Sequence, residues 1–191
     1  DWCSPRKESI SKILEIGAGN GIELAHMANI LNSEAIGIEP SSKAVQDWQT
    51  RRLNIKGGEK TTLQVGLSKN LPFKDSFFDL VHFGFVLYLV DRKDIYRSIS
   101  EADRVLKDGG LLSIMDFDPI GPYSNPYTHK EGIKSYKNDY SKIFLASGHY
   151  TLMYKHSYSL SGFNFHEDNN ERISISLLYK QEDYVYSQKL S

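Results

Sequence analysis

A chain of 191 residues with 23 Lys and Arg against 24 Asp and Glu carries a formal charge of −1, and 40% of its residues are hydrophobic. The length suits one domain with a sizeable core, and the balanced charge excludes the basic excess of a general nucleic-acid binder. The lone cysteine, Cys3, excludes an intrachain disulfide, and no apolar run has the length of a membrane span or the pattern of a secretory signal, so a cytoplasmic protein of one domain over residues 1–191 is expected.

Ile13-Leu14-Glu15-Ile16 is a short aliphatic run followed at once by glycines and predicts a buried strand. Gly17 to Gly21 is a turn, and Leu24, Ala25, Met27, Ala28 and Leu31 then recur at helical spacing. Ala35 to Glu39 predicts a second strand, after which Ser41 or Ser42 caps a helix through Ala44, Val45, Trp48 and Leu53, broken by Gly57-Gly58. Thr61–Val65 and Phe78–Phe83 predict further strands. Asp91 is expected to start a helix with Ile95, Ile99, Ala102, Val105 and Leu106 on one face, stopped by Gly109-Gly110 before a fifth strand over 111–117. Strands alternating with amphipathic helices predict a doubly wound, mostly parallel α/β sheet with helices on both faces.

The rhythm changes after residue 117. Prolines and glycines across 118–133 predict a long loop, and Lys134 to Ser147 a helix with Tyr136, Tyr140, Ile143 and Phe144 inward. Residues 150–160 and 172–180 read as two late strands joined by a polar connection. Residues 118–160, rich in tyrosine, are the expected cover for a substrate.

The chemistry concentrates at Glu15-Ile16-Gly17-Ala18-Gly19-Asn20-Gly21, on a strand-to-helix junction. Glycines there allow close ligand approach, and the helix start offers free N–H groups. The spacing is G-x-G-x-G, whereas nicotinamide binders use G-x-G-x-x-G. Glu15 just before the turn would repel a pyrophosphate and attract an ammonium group. Glu39, ending the second strand about 20 residues further on, can accept from both hydroxyls of a ribose. A ligand with a ribose and an ammonium but no phosphate is S-adenosylmethionine.

At this point the chain resembles the class I S-adenosylmethionine-dependent methyltransferases, in their small-molecule branch. Residues 13–21 look like the first signature of that family and Gly37-Ile38-Glu39-Pro40-Ser41 like the second. Gly66 to Phe73 resembles the adenine-side loop, Phe77–Val81 with Val86–Tyr88 the fourth-strand segment, and Glu101–Leu112 the helix–glycine–strand segment. The resemblance implies a seven-stranded Rossmann-like sheet whose last strand is antiparallel. It implies that Gly17, Ala18, Gly19 and Gly21 shape the loop under the methionine part of the cofactor, and that Glu15 orients that loop or holds the amino group. Glu39 would take the ribose, Pro40 and Leu67 would pack on adenine, Ser68 would sit beside the ring, and Phe83 would offer backbone contacts near the methionine end. Relatives often carry an acid where this chain has Leu67, and Phe83-Gly84-Phe85 is bulkier than the small polar residues common there.

Methyl transfer from a sulfonium releases a neutral thioether, so it needs alignment more than acid catalysis. A hydroxyl or amine acceptor, such as a sugar or a secondary metabolite, still benefits from a nearby base. Candidates follow the fourth and fifth strands: Asp116, Tyr88 and, in the later loop, His129. The histidines lack ligand-like spacing, so no metal is expected. The competing reading is a module or partner subunit that holds the cofactor without turning it over. The expected partner is a small-molecule acceptor, with no membrane and no nucleic acid.

Overall fold

A computed structural model describes residues 10–128, 131–159, 161–162 and 164–182. Five strands form its parallel part: β1 (Lys12–Ile16), β2 (Glu34–Glu39), β3 (Thr61–Val65), β4 (Phe78–Gly84) and β5 (Leu106–Phe117). Three helices alternate with them: α1 (Ile22–Leu31), α2 (Ser42–Arg51) and α3 (Ile95–Val105). A hairpin of β6 (Tyr123–Pro126) and β7 (Lys134–Lys137), a short helix α4 (Ser141–Ala146), and strands β8 (Tyr150–Ser159) and β9 (Arg172–Lys180) complete the chain. The main sheet has seven strands in the order β3-β2-β1-β4-β5-β9-β8, and β9 runs antiparallel to both neighbours. This is the mixed Rossmann-like sheet that the sequence predicts.

Alternation along β1 divides the core. Ile13 joins Leu24, Ala25 and Ala28 of α1 and Val45 and Trp48 of α2 on one face. Leu14 and Ile16 join Ile95, Ala102 and Val105 of α3 and Phe144 of α4 on the other. Burying both faces explains why the parallel strands read as nearly continuous apolar runs. Ser41 caps α2 as expected, its hydroxyl accepting from the Ala44 N–H at 3.2 Å.

Several expected boundaries move. α2 ends at Arg51, and Leu53 falls in a 3-10 turn where it is 74% exposed instead of core. Residues Asp91–Asp94 form a turn, since the Asp91 carboxylate and carbonyl accept from the N–H groups of Lys93 and Asp94, so α3 begins at Ile95. It ends at Val105 and not at Gly109-Gly110. Its last carbonyls are taken by outside donors: Arg104 and Val105 accept from the N–H groups of Ser76 and Phe77, and Lys180 Nζ donates to Asp103 at 2.7 Å. Leu106 therefore opens β5, and both glycines lie within that strand, where the register with β4 jumps from Phe78↔Leu106 to Leu80↔Leu111.

The largest correction concerns residues 118–147. The expected loop contains β6, and the expected helix over 134–147 is β7 followed by only the short α4. Residues 134–137 pair instead with 123–126, which takes their backbone out of any helix. The Arg92 guanidinium stacks 4.4 Å over Tyr136 and donates to the Tyr140 hydroxyl at 2.9 Å, holding both tyrosines beside this hairpin.

Asp79 ties the start of the sheet together. Its carboxylate accepts from the Ser11 N–H and hydroxyl, from the Lys12 N–H at 2.9 Å, and from Lys107 Nζ at 2.6 Å. Burial pushes its pKa up, but these donors outweigh burial and hold it below the usual range. Asp79→Ala is expected to cost about 1–3 kcal/mol in urea denaturation at neutral pH, because exposed and half-buried donors from β1 and Lys107 lose a charged acceptor that ties the strands together.

Candidate functional site

Two adjoining cavities lie beyond the carboxyl ends of β1, β2 and β4, where ligand sites lie in open α/β sheets. Parallel pairing aligns Ile16 with Ile38 on one side and with Phe83 on the other, so the three strands end at one level. The chain then turns sharply: the N–H groups of Gly17 and Ala18 both donate to the Ile38 carbonyl, at 2.8 and 3.2 Å. Gly17, Gly19 and Gly21 all have positive φ, which explains the spacing of the turn. A Cβ at Gly21 would meet the Trp48 ring at 2.7 Å, so this glycine seats the turn on α2. A Cβ at Gly19 would meet nothing within 4 Å, so its face is open to the cavity.

Two adjoining lobes share Gly17, Gly19 and Phe85. The larger, of about 490 Å³, brings together Glu39, Pro40, Leu67, Ser68 and Tyr88 with Val86 and Tyr127. The smaller, of about 370 Å³, is lined by Glu15, Ala18, Asn20, Glu23, Gly84 and Met115.

The two acids differ in how they are held. Glu39 bridges the turns on either side of it, accepting from the Gly19 N–H and the Ser41 N–H, each at 2.9 Å. Both oxygens keep lone pairs for further donors. Glu15 is 3% exposed, and its Oε2 has no hydrogen-bond partner among the described residues. Burial first, and the nearby charges of Glu23 and Glu39 second, push its carboxyl up to about 8. His82 faces it across 4.0 Å but is itself neutral, because burial lowers its imidazole to about 4. Its Nδ1 pairs with the Ser113 hydroxyl at 3.0 Å. A buried acid with an unsatisfied oxygen in a cavity wall suits a cationic ligand group, and a fixed carboxylate with spare lone pairs suits a pair of hydroxyls.

The adenine-side loop hangs on α3. Glu101 accepts from the Leu71 N–H at 2.7 Å, and Arg104 donates to the carbonyls of Leu71 and Phe73. The Ser68 hydroxyl pairs with that of Ser98 at 2.8 Å. Leu67, 52% exposed, offers an apolar surface at the cavity.

Two expected residues, Phe83 and Asp116, stand elsewhere, and Gly21 lines neither lobe. Phe83 is fully buried in the core with its ring 6.3 Å from Phe144, and the next two residues, Gly84 and Phe85, line the cavity instead. Strand alternation turns Phe83 inward one residue before β4 ends at Gly84. Asp116 is 2% exposed and lines neither lobe; its carboxylate accepts from the N–H groups of Tyr88 at 3.2 Å and Phe117 at 2.8 Å. Burial raises its pKa to about 7. His129 lies outside the described residues.

Sequence reasoning missed Phe85, Val86 and Tyr127. Phe85 holds φ +49, a left-handed backbone, with its N–H donating to the Met115 carbonyl at 2.8 Å. Its ring meets Tyr88 and Phe117 edge to face, at 6.3 and 5.7 Å, and Tyr88 meets Tyr127 at 6.2 Å. The Tyr88 hydroxyl is hydrogen-bonded to Tyr127, and burial raises its pKa, so it is a neutral phenol. Among the described residues no group of three or more His, Cys, Asp or Glu could hold a metal ion, and no helix is long and apolar enough to cross a membrane.

This fold and glycine turn define a Rossmann-like protein with a nucleoside-type cavity. A family model described as a methyltransferase domain matches residues 14–114. The chain belongs to that family and is a class I S-adenosylmethionine-dependent methyltransferase, with S-adenosylmethionine as its cofactor. It is 26% identical over 157 residues to an uncharacterised methyltransferase of Synechocystis, covering 78% of this chain and 70% of that protein. It is 31% identical over 121 residues to a ubiquinone/menaquinone biosynthesis C-methyltransferase of Agrobacterium fabrum, covering 61% of this chain and 45% of that protein. A solved S-adenosylmethionine-dependent methyltransferase of Methanosarcina mazei shares the fold, with a TM-score of 0.71, 20% identity, and coverage of 91% and 94% of the two chains.

The raised carboxyl of Glu15 makes stability fall as pH rises. Between its ordinary 4.5 and about 8 the folded state holds a proton that the unfolded state has lost. The free protein is expected to lose about 1 kcal/mol of stability between roughly pH 7 and pH 8.5, above the titration of His82. Glu15→Gln should remove most of that loss and leave the smaller part that the raised Asp116 carboxyl contributes, as read by urea denaturation at the two pH values.

Proposed function

We propose that the two lobes together hold S-adenosylmethionine and that methyl transfer takes place toward a small-molecule acceptor lodged against Phe85, Tyr88 and Tyr127. In this reading Glu39 accepts from the ribose hydroxyls, and Glu15 meets the ammonium of the methionine part. Gly17, Ala18 and Gly19 form the floor beneath that part, with Gly19 leaving the space the cofactor fills, while Gly21 serves the turn by seating it on Trp48. Pro40 and Leu67 sandwich adenine, with Ser68 at its edge. Where relatives place an acid for the adenine amino group, Leu67 supplies only apolar contact. The methionine-end contacts assigned from sequence to Phe83 pass to Gly84 and Phe85.

The observation that carries the reading is the pair of unlike carboxylates, one pinned with spare lone pairs and one buried with an orphaned oxygen, facing adjoining lobes.

Bound S-adenosylmethionine supplies an activated methyl group whose transfer releases a neutral thioether. The chain's contribution is then position: the floor of glycines and the aromatic wall align acceptor and methyl group and exclude water. Tyr88, a neutral phenol paired with Tyr127, orients the acceptor. Asp116 supports Tyr88 through its backbone N–H and does not act as the base. The hairpin β6–β7 with α4, within residues 118–160, is the acceptor-side cover of a single domain, and Tyr127 is its reach into the cavity. A sugar or secondary-metabolite hydroxyl or amine fits a wall of aromatic rings, and the relative in ubiquinone and menaquinone biosynthesis supports a small-molecule acceptor. A cytoplasmic location completes the proposal.

Titration calorimetry with S-adenosylmethionine, S-adenosylhomocysteine and NAD tests it: binding of the first two and not the third is expected. Glu39→Ala should weaken S-adenosylhomocysteine by about 1–3 kcal/mol, through lost charge-assisted hydrogen bonds. Unchanged affinity would remove the ribose assignment. Gly19→Val should abolish binding in a protein that still melts cooperatively, since its branched side chain would occupy the cofactor's volume. A folded variant of normal affinity refutes the placement over Gly19.

A further inference from the structure

Glu15 occupies a notch that the sheet keeps empty for it. A Cβ at Gly84 would lie 2.8 Å from Glu15 Oε1 and 3.2 Å from His82 Nε2, so the absence of a side chain there is what lets the carboxyl sit at the cavity wall. The notch supplies no countercharge. From β4, His82 is neutral and 4.0 Å away. From α1, Glu23 lines the same lobe, and from β2, Glu39 lies nearby; both add negative charge. From β5, the neighbours are the Ser113 hydroxyl, already paired with His82, and the Met115 thioether. From β8, Tyr158 is a phenol whose pKa is raised by burial and by Glu23, and its hydroxyl donates to Met115 Sδ at 3.5 Å. Glu15 Oε2 is left without a partner. A carboxylate so placed would be a buried unpaired charge, which a protein relieves by neutralising the group.

We propose that Glu15 is a neutral acid in the free protein and releases its proton to solvent when the ammonium group of the cofactor enters the notch. Cofactor binding is thereby coupled to proton release, and the notch selects for ligands that carry a cation at this point. The inference rests on the assignment of Glu15 to the ammonium. The balance is simple: one O–H bond of Glu15 breaks, the proton goes to the buffer, and the carboxylate and ammonium pair. With the carboxyl at about 8, nearly the whole population is protonated at pH 7. The ammonium of the ligand is already protonated there and contributes no proton.

The test is calorimetric titration of the wild-type protein with S-adenosylhomocysteine at pH 7, in phosphate and in Tris, whose ionisation enthalpies differ. Release of about 0.9 proton per ligand is expected, with affinity rising about tenfold between pH 6 and pH 7. 5′-Methylthioadenosine, which keeps the adenosine but lacks the ammonium, should release none. Glu15→Gln should abolish the release seen with S-adenosylhomocysteine. If wild type releases no proton while Glu15→Gln weakens S-adenosylhomocysteine and not 5′-methylthioadenosine, Glu15 does meet the ammonium but is already ionised, and the inference alone falls. If Glu15→Gln binds S-adenosylhomocysteine at pH 8 as tightly as wild type, the assignment of Glu15 falls and the inference with it. The comparison of the two ligands on wild type needs no variant, so a misfolded Glu15→Gln leaves the test intact.

Discussion

The Ile38 carbonyl is the point on which the site turns. It accepts from two successive N–H groups, those of Gly17 and Ala18, and so stops the first strand level with the second. Glu39, the next residue along, then reaches back to the Gly19 N–H and forward to the Ser41 N–H. Three backbone segments are fixed by one carbonyl and one carboxylate. Because these bonds involve main-chain groups, the geometry of the turn is set before any ligand arrives, and the loop floor owes little to flexible side chains. The helix that follows starts at Ile22, where the Asn20 side chain accepts from its first N–H at 3.0 Å.

The strength of the sequence reading followed the density of local signals. In the first half most strands are short apolar runs bounded by glycine or a capping serine, and β1, β2 and β3 lie side by side in the sheet as they do in sequence. Pattern and tertiary context agree there, which is why β3 and α1 match their expected limits. The expected residues Glu15, Ala18, Glu39, Pro40, Leu67 and Ser68 converge on the cavity for the same reason: each sits within three residues of the carboxyl end of a strand. Boundaries failed where a distant group decided them. Lys180 comes from the far end of the chain to take carbonyls at the end of α3, and no local pattern announces it. Pairing with β6 takes Tyr136 into a hairpin and leaves Tyr140 at the start of α4, although their spacing of four suits one helix. Phe83 and Phe85 are alike as letters, and only the exit of the strand between them sends one ring to the core and the other to the cavity.

Phe85 and Glu15 are two expenses of one design. A left-handed backbone at a bulky residue costs on the order of 1–3 kcal/mol, and the Met115 carbonyl and two aromatic neighbours hold Phe85 in it. The consequence is that one ring forms a shared wall of both lobes. Glu15 is the electrostatic counterpart, a buried acid surrounded by negative neighbours and a neutral imidazole. Neither feature stabilises the empty protein. Both lie within the same few residues of the strand ends, where strain and unsatisfied polarity concentrate in proteins that bind ligands.

Asp116 shows why a buried acid near a site is not automatically a base. It resembles Glu15 in burial and in a carboxyl raised toward neutrality, here to about 7. The difference is satisfaction. Asp116 accepts from main-chain donors on the Tyr88 turn and on its own strand, so its oxygens are engaged in holding structure. Glu15 has one buried oxygen with no partner among the described residues, and the residue lines the smaller lobe. A raised pKa reports only that the charged form is disfavoured; what the group can do depends on what its oxygens still lack. On that criterion the unmet need at Glu15 points to a cation that arrives from outside. At Asp116 the need is already met within the fold, by main-chain donors.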